Sequence, residues 1–242
     1  MYSVAYSTDG QQLVSTSNDG TVRLWDVRSG KEIRTFRGHA GRPRDAVFSP
    51  DGKRIVSAGH DKKVRIWDVV SGNQLGTADV ASATIFGIAI SPDGTRVATA
   101  NADRTVNLFD AHTGREFMTL SAGPSGTAKV NFSPDGTHLA AAVHNGTVRV
   151  WNAQRHRRTI VLSGHTDTVT SVTFSDDGSR IYSQTNQDNF VWDVSTQQQL
   201  PNAEWTPPKE IHRVSPDGRW FVTTEANHVV LVDRDGRTNE RE

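Results

Sequence analysis

The nine histidines are the residues of this 242-residue chain most suited to chemistry, because imidazole transfers protons and binds metals near neutral pH. Their spacing matches no metal-binding motif, and the absence of cysteine excludes a thiolate metal site and a cysteine nucleophile. His39 and His165 recur at one place in a repeated pattern, which favours a structural role. We therefore expect no catalytic residue, no metal site and no cofactor.

The other candidates for chemistry are serines and carboxylates. The run Gly123-Pro124-Ser125-Gly126 misses the last glycine of a hydrolase elbow, and no phosphate-binding glycine loop is present. Asp51, Asp93 and Asp135 form a set of carboxylates, but each lies in the same short phrase, Ser-Pro-Asp-Gly. Proline at the second position and glycine at the last are typical of a tight turn, so turn formation explains these aspartates.

The turn phrase is the strongest periodic signal in the chain. Its closing glycines stand at 10, 52, 94, 136, 178 and 218, so successive copies are 42, 42, 42, 42 and 40 residues apart. A second marker follows in register in each copy: Trp25-Asp26, Trp67-Asp68, Phe109-Asp110, Trp151-Asn152, Trp192-Asp193 and Val232-Asp233. Two markers in register over six copies predict a repeat architecture.

Each repeat contains four short runs of strand-forming residues joined by turns, which we name strands a to d. In the second unit, Ala46-Val47-Phe48 and Ile55-Val56-Ser57 flank the first turn, and Val64–Trp67 follows a polar turn. A fourth run follows a Ser-Gly turn, as in Glu32–Phe36 after Ser29-Gly30. Four antiparallel strands without helical periodicity describe one blade of a β-propeller.

The units resemble WD repeats, whose signature is Gly-His before strand a and Trp-Asp at the end of strand c. Gly38-His39 and Gly164-His165 match the first element, and three of the Trp-Asp pairs match the second. The regular Ser-Pro-Asp-Gly turns resemble bacterial members of the family. The resemblance implies an all-β fold, a β-propeller of six recognisable WD-type four-stranded repeats, incomplete relative to a seven-bladed ring.

The resemblance also implies a hydrogen-bonded network of His, Ser or Thr, Asp and Trp inside each blade. The second unit carries the full set, His39, Ser57, Asp61 and Trp67. The fifth carries His165, Ser183 and Trp192, but its b–c turn is one residue short, which puts Asp188 out of register. Units three and four lack several of these residues.

We expect one WD-repeat propeller domain over residues 1–242, in units of about 1–37, 38–79, 80–121, 122–162, 163–205 and 206–242. The first unit begins at strand a and the sixth ends after strand c, so neither end offers the missing outer strand. An open ring exposes strand edges. We therefore favour a fragment of a longer protein with additional domains, and an imperfectly closed six-bladed ring is the alternative.

Positions that vary between otherwise regular repeats are free to bind a partner. In WD-repeat proteins the start of strand a and the b–c turn commonly line the binding face, and here they carry aromatic and basic residues. The candidate partner-binding residues are Tyr2, Arg42, Arg44, Lys62, Phe86 and Arg104. Aromatic and arginine side chains are common interface anchors, so we expect an acidic or peptide-like segment to bind, unless Phe86 packs inward and the cations are merely solvated.

Charge and composition bound the remaining possibilities. Lys plus Arg equals 27 and Asp plus Glu equals 27, and this zero net charge argues against binding to nucleic acid or to an acidic membrane. A basic cluster at Arg155–Arg158 is interpreted as a solvated turn. The first residues show no signal peptide and no apolar run could span a bilayer, so a cytoplasmic location is expected.

These observations favour a protein-protein interaction scaffold or a regulatory or sensor module that presents a binding face at one rim of the propeller. Two alternatives stay open. One is a propeller enzyme with its active site in the central channel, and the other is a purely structural array within an assembly. The resemblance is one of fold, and fold alone does not specify function.

Overall fold

The computed structural model describes residues 1–79, 83–153, 159–201, 220–225 and 228–233. These residues form 22 strands and no helix, so none of them belongs to a helix that could cross a membrane. The chain divides into two compact units, Met1–Thr77 with the described part of Lys209–Glu242, and Ala78–Pro208. That the six predicted repeats form a single domain stays a prediction.

The first unit contains two four-stranded antiparallel sheets and a two-stranded one. The first sheet is built from β1 (Ser3–Tyr6), β2 (Gln12–Thr16), β3 (Val22–Asp26) and β4 (Glu32–Phe36). The second is built from β5 (Pro43–Phe48), β6 (Arg54–Gly59), β7 (Lys63–Asp68) and β8 (Gln74–Asp79), the last strand ending just beyond the unit boundary.

The second unit contains three four-stranded antiparallel sheets. The third sheet in sequence order comprises β9 (Ile85–Ile90), β10 (Arg96–Asn101), β11 (Thr105–Asp110) and β12 (Glu116–Ser121). The fourth comprises β13 (Thr127–Phe132), β14 (His138–Val143), β15 (Thr147–Asn152) and β16 (Thr159–Ser163). The fifth comprises β17 (Ser171–Phe174), β18 (Arg180–Gln184), β19 (Asn189–Asp193) and β20 (Gln199–Leu200).

The remaining strands, β21 (Trp220–Glu225) and β22 (His228–Asp233), pair antiparallel and correspond to strands b and c of the sixth repeat. Strand a of that repeat, expected around Val214, lies outside the described residues. Each of the five preceding repeats thus contains one meander of strands a to d. The prediction of four-stranded antiparallel blades is confirmed for the first five repeats.

The Ser-Pro-Asp-Gly phrase forms the a–b turn, as predicted. In the second sheet the Gly52 N–H donates to the Ser49 carbonyl at 2.8 Å, and Gly52 has a φ of 68°, which glycine adopts without strain. The Asp51 carboxylate accepts from the Ser49 hydroxyl at 2.5 Å and from the Lys53 amide at 3.1 Å. These short-range bonds fix the register of strands a and b.

Neighbouring sheets of the same unit bury side chains against each other, and the fourth sheet does so on both faces. In β14, Leu139, Ala141 and Val143 join the core shared with the third sheet, whereas Ala140 and Ala142 join the core shared with the fifth. Alternation along a strand places successive residues on opposite faces, so a strand buried on both faces is apolar throughout. Within each unit the a strands lie side by side, β1 with β5 and β13 with β9 and β17.

Two of the outer strands, β4 and β12, are irregular. The register of β3 with β4 shifts between Leu24 and Trp25, and the register of β11 with β12 shifts between Leu108 and Phe109. Each shift leaves an extra residue on the outer strand, and these two β-bulge residues, Ile33 and Phe117, are 44% and 47% exposed.

Candidate functional site

A buried polar cluster lies inside the second sheet. The Trp67 Nε1–H donates to Ser57 Oγ at 2.8 Å, and Ser57 Oγ lies 2.8 Å from His39 Nε2. His39 Nδ1 lies 2.9 Å from both carboxylate oxygens of Asp61. Strands β6 and β7 hold Ser57 and Trp67, the b–c turn holds Asp61, and the loop before β5 brings His39 inward.

This cluster resembles a Ser-His-Asp triad in connectivity, but its burial gives it a structural role. Ser57 is fully buried, and its oxygen accepts the indole N–H of Trp67. A nucleophile has to face a site where a substrate can sit. Burial of Asp61 raises the pKa of its carboxyl, but hydrogen bonds from His39 and backbone amides outweigh this and hold the pKa below its ordinary value. The cluster therefore fixes strands b and c to the preceding loop.

The fifth sheet contains the same cluster, with one correction to the sequence interpretation. His165 Nε2 lies 2.7 Å from Ser183 Oγ, which also accepts the Trp192 indole N–H at 2.8 Å. Asp188, expected to be out of register, lies with its Oδ1 2.5 Å from His165 Nδ1. The shorter turn compensates because the Thr185 hydroxyl donates to the Asp188 carboxylate at 2.7 Å and positions it.

The third and fourth sheets lack this cluster, as their sequences indicate. The Phe109 side chain has no N–H to donate, and Thr99 Oγ1, at the position of Ser57, is buried without a hydrogen-bond partner among the described residues. In the fourth sheet, Ala141 occupies that position and is buried in the core. An unpaired buried hydroxyl costs about 1–3 kcal/mol, a cost that Ala141 avoids at the same position in the fourth sheet.

Tyr2 and Arg44, two of the predicted partner-binding residues, lie together in the first unit. The Arg44 guanidinium carbon is 4.2 Å from the centre of the Tyr2 ring, which is a cation–π arrangement. The Tyr2 hydroxyl donates to Asn18 Oδ1 at 3.0 Å. The two side chains thus contact each other between the starts of the neighbouring a strands β1 and β5.

Arg42 and Lys62, from the same prediction, are exposed near the b–c turn of the second sheet. The His60 N–H donates to the Arg42 carbonyl at 3.0 Å, and a Cβ on Gly59 would lie 2.2 Å from that oxygen, so only glycine permits this approach. Partial burial and the charges of Arg44 and Arg42 lower the pKa of His60. Arginine and lysine therefore supply the positive charge of this surface.

Phe86 and Arg104, the last two predicted partner-binding residues, lie in the second unit. The half-buried Phe86 ring is 5.9 Å from the ring of His144, a residue that the sequence did not single out. Arg104 is exposed in the b–c turn of the third sheet. The six candidate residues are thus divided four and two between the units.

The b–c turns show a feature that the sequence did not reveal. The same turn position is Gly20, Lys62, Arg104 and Gly146 in the first four repeats, with φ values of 86°, 63°, 73° and 78°. Left-handed backbone suits glycine but costs a side-chain-bearing residue about 1–2 kcal/mol. Two of four turns therefore hold a long cation in a strained conformation.

No group of three or more metal-binding side chains occurs in the part of the chain that the structure describes. The basic cluster at Arg155–Arg158 lies outside that part.

Comparison with known proteins places these repeats in a family. The model of the WD domain, G-beta repeat, matches residues 1–26, 30–68, 72–110, 115–152 and 156–193, which is well over half of the chain. The sixth repeat lies beyond the matched residues.

Curated relatives match over single repeats. Nuclear distribution protein PAC1-2 of Uncinocarpus reesii is 50% identical over 38 residues, which are 16% of this chain and 8% of that protein. Coronin-like protein crn1 of Schizosaccharomyces pombe is 42% identical over 45 residues, 19% of this chain and 8% of that protein. Anaphase-promoting complex subunit cdc20 of Dictyostelium discoideum is 45% identical over 40 residues, 16% and 8% of the two proteins. Each match thus spans 8% of its relative, and with five matched repeats folded as four-stranded sheets the chain belongs to the WD40 repeat family.

Proposed function

We propose that this chain is a protein-interaction module, a scaffold or regulatory part, and that it binds partners at the rim formed by its b–c turns and the starts of its a strands. The strained backbone of Lys62 and Arg104 carries the proposal, because sister repeats use glycine there at no such cost. Strain held at a fixed position in a stable scaffold is characteristic of functional sites.

The chemistry of the rim fits an acidic peptide segment. Arg44 lies over the Tyr2 ring, which places a guanidinium, a group that pairs well with carboxylates, at the start of a strand. Arg42 and Lys62 are exposed cations nearby on the same unit. In the second unit, Phe86 and His144 offer an aromatic surface and Arg104 a further cation. Aromatic and arginine anchors with a charged margin match the composition of protein interfaces.

The relatives support this role in general terms. One carries the name of a subunit of the anaphase-promoting complex, and such a subunit works within a multi-protein assembly. The buried position of Ser57 in its histidine cluster gives no support to an enzyme. A cytoplasmic location stays a prediction.

Binding of a fluorescently labelled glutamate-rich peptide tests the proposal, with a glutamine-rich peptide of equal length as the uncharged control. We expect the acidic peptide to bind, and the binding to weaken with added salt because exposed charges are screened. Lys62→Gly combined with Arg44→Ala should weaken it roughly tenfold, about 1.4 kcal/mol.

The matched control is Arg28→Ala combined with Lys31→Ala, which removes two exposed cations near the c–d turn of the first sheet. This control should bind like the wild-type protein. Equal loss in both double variants, or no preference for the acidic peptide, contradicts the proposed rim surface.

A further inference from the structure

The b–c turn of the fourth repeat contains the single Asn-Gly pair in the sequence, Asn145-Gly146. Asn145 takes the position that Asp19, Asp61 and Asp103 occupy in the first three repeats, at intervals of 42 residues. The threonine two residues later donates its hydroxyl in the same way, to Asp19 at 2.6 Å, to Asp103 at 2.5 Å and to Asn145 at 2.7 Å. The geometry of this turn is therefore the one that holds an aspartate in other repeats, but here the residue is asparagine.

We infer that Asn145 is a site of spontaneous deamidation, which converts this turn to the carboxylate form of the other repeats. Asn145 is exposed, and Gly146 has no side chain to obstruct attack by its own backbone nitrogen. That nitrogen donates to the Val143 carbonyl at 3.2 Å, the long end of the normal range, so it is weakly held.

The reaction needs only water. The Gly146 nitrogen loses its proton and bonds to Cγ of Asn145, the bond from Cγ to the amide nitrogen Nδ2 breaks, and ammonia leaves as a succinimide ring closes. Water then opens the ring at one of its two carbonyl carbons. Attack of water at Cγ breaks the bond from Cγ to the Gly146 nitrogen and restores the original backbone as aspartate. Cleavage at the backbone carbonyl instead gives isoaspartate, with one extra atom in the main chain.

Neighbouring Asp-Gly pairs can close the same ring only from the neutral carboxyl group. Hydrogen bonds from Ser133 and Thr137 lower the pKa of Asp135 to about 2, and Ser175 and Ser179 do the same for Asp177. These aspartates are ionised at neutral pH, and the carboxylate is a poor target for attack. The side-chain amide of Asn145 carries no charge and is therefore open to this attack.

An arginine occupies the position from which it could pair with the carboxylate that deamidation creates. In the first repeat Arg23 pairs with Asp19 at 2.8 Å, and in the second Arg65 lies 3.6 Å from Asp61. Arg149 occupies the same register position in the fourth repeat, where residue 145 is an amide and offers no negative charge; its buried Nε, like that of Arg65, has no hydrogen-bond partner among the described residues. A carboxylate at position 145 would give this guanidinium the partner that its counterparts have.

Peptide mapping by mass spectrometry tests the inference on the purified, folded protein incubated at mildly alkaline and mildly acidic pH. We expect loss of the Asn145 amide before any loss at Asn73 or Asn189, faster at the higher pH because the attacking nitrogen must lose its proton. A sample unfolded in urea and incubated in parallel gives the rate of deamidation of the same sequence without its folded structure. Conversion of Asn145 in the unfolded sample but not in the folded one overturns the inference.

Substitutions test the proposed ion pair between a carboxylate at position 145 and Arg149 independently of the deamidation reaction. Asn145→Asp should move the midpoint of urea unfolding to a higher concentration than that of the wild-type protein, and the shift should vanish when Arg149→Met is added. Asn145→Gln, which lengthens the side chain, should neither deamidate nor shift the midpoint upward. An equal shift with and without Arg149 overturns the proposed ion pair.

Discussion

Ser57 is the residue on which the second sheet depends most directly. Its hydroxyl accepts the Trp67 indole N–H and faces His39, and all three side chains are buried. A group that satisfies two buried partners cannot be lost without leaving both unpaired. The stability of this sheet is therefore concentrated in a few atoms.

Replacing Trp67 by Phe keeps most of the ring and removes the N–H. We expect a loss of about 1–3 kcal/mol, the cost of leaving buried polar groups unpaired, and about 3–5 kcal/mol for Trp67→Ala, which also opens a cavity. Urea unfolding measures both. Trp25→Phe is the matched control, since Trp25 donates to Ser15 at 2.8 Å but is only partly buried. An equal loss at both positions would disprove the role of burial.

The aspartates of the a–b turns make the stability of the strand pairs that they join sensitive to acid. Hydrogen bonds in the folded protein lower the pKa of Asp135 and Asp177 to about 2, from an ordinary 3.8. The folded state therefore holds its protons less tightly than the unfolded state. The stability that these turns contribute is complete above about pH 4 and is lost as the pH falls towards 2.

Asp135→Asn combined with Asp177→Asn removes two of these titrating groups and retains an oxygen acceptor. We expect the double variant to be less stable than the wild-type protein near pH 5, with a smaller difference near pH 3, as measured by urea unfolding at about these two values. Ser-to-Ala changes at Ser133 and Ser175 should show the same trend. A difference that does not change with pH would contradict the lowered pKa values.

The b–c turns offer a second prediction at this scale. Lys62→Gly and Arg104→Gly should each stabilise the protein by up to about 1 kcal/mol, because relief of left-handed strain is partly offset by the freedom of glycine in the unfolded state. Gly20→Lys, the reverse exchange in the first repeat, should destabilise it by a similar amount. Thermal unfolding measures all three, and a destabilised Lys62→Gly would show that the backbone at this turn is not strained.

The strands and turns could be predicted from the sequence, whereas individual departures from the repeat pattern could not. Glycine at 42-residue intervals and the Trp-Asp pairs fix where turns and strands fall, because turn chemistry is local. The position of Asp188 was mispredicted because counting residues ignores how a shorter turn folds back through Thr185. The stacking of Arg44 on Tyr2 joins different repeats, and the left-handed Lys62 depends on its turn, so neither is visible in a linear pattern.

At the scale of the whole molecule, each unit is a series of sheets that bury their faces on neighbours. Stability in such arrays is the sum of terms within repeats and between adjacent ones. A local defect should therefore act mainly on its own unit, as local unfolding does in many proteins.

Hydrogen exchange followed by mass spectrometry tests this expectation. Trp67→Phe should raise amide exchange in β5 to β7 and in the first sheet, and leave β13 to β15 close to the wild-type rates. Trp192→Phe should do the reverse, raising exchange in β17 to β19 first. Uniform acceleration over both units in either variant would show that the protein unfolds as one cooperative block.

The β-bulges of the outer strands bear on how these molecules behave at high concentration. A regular edge strand offers alternating amide and carbonyl groups to which another molecule can add, and exposed Ile33 and Phe117 would strengthen such an addition. The extra residue interrupts that alternation beside each apolar side chain. An incoming strand would lose the regular alternation of amide and carbonyl groups within a few residues, so β4 and β12 can each expose an apolar side chain and still resist the addition of a further strand.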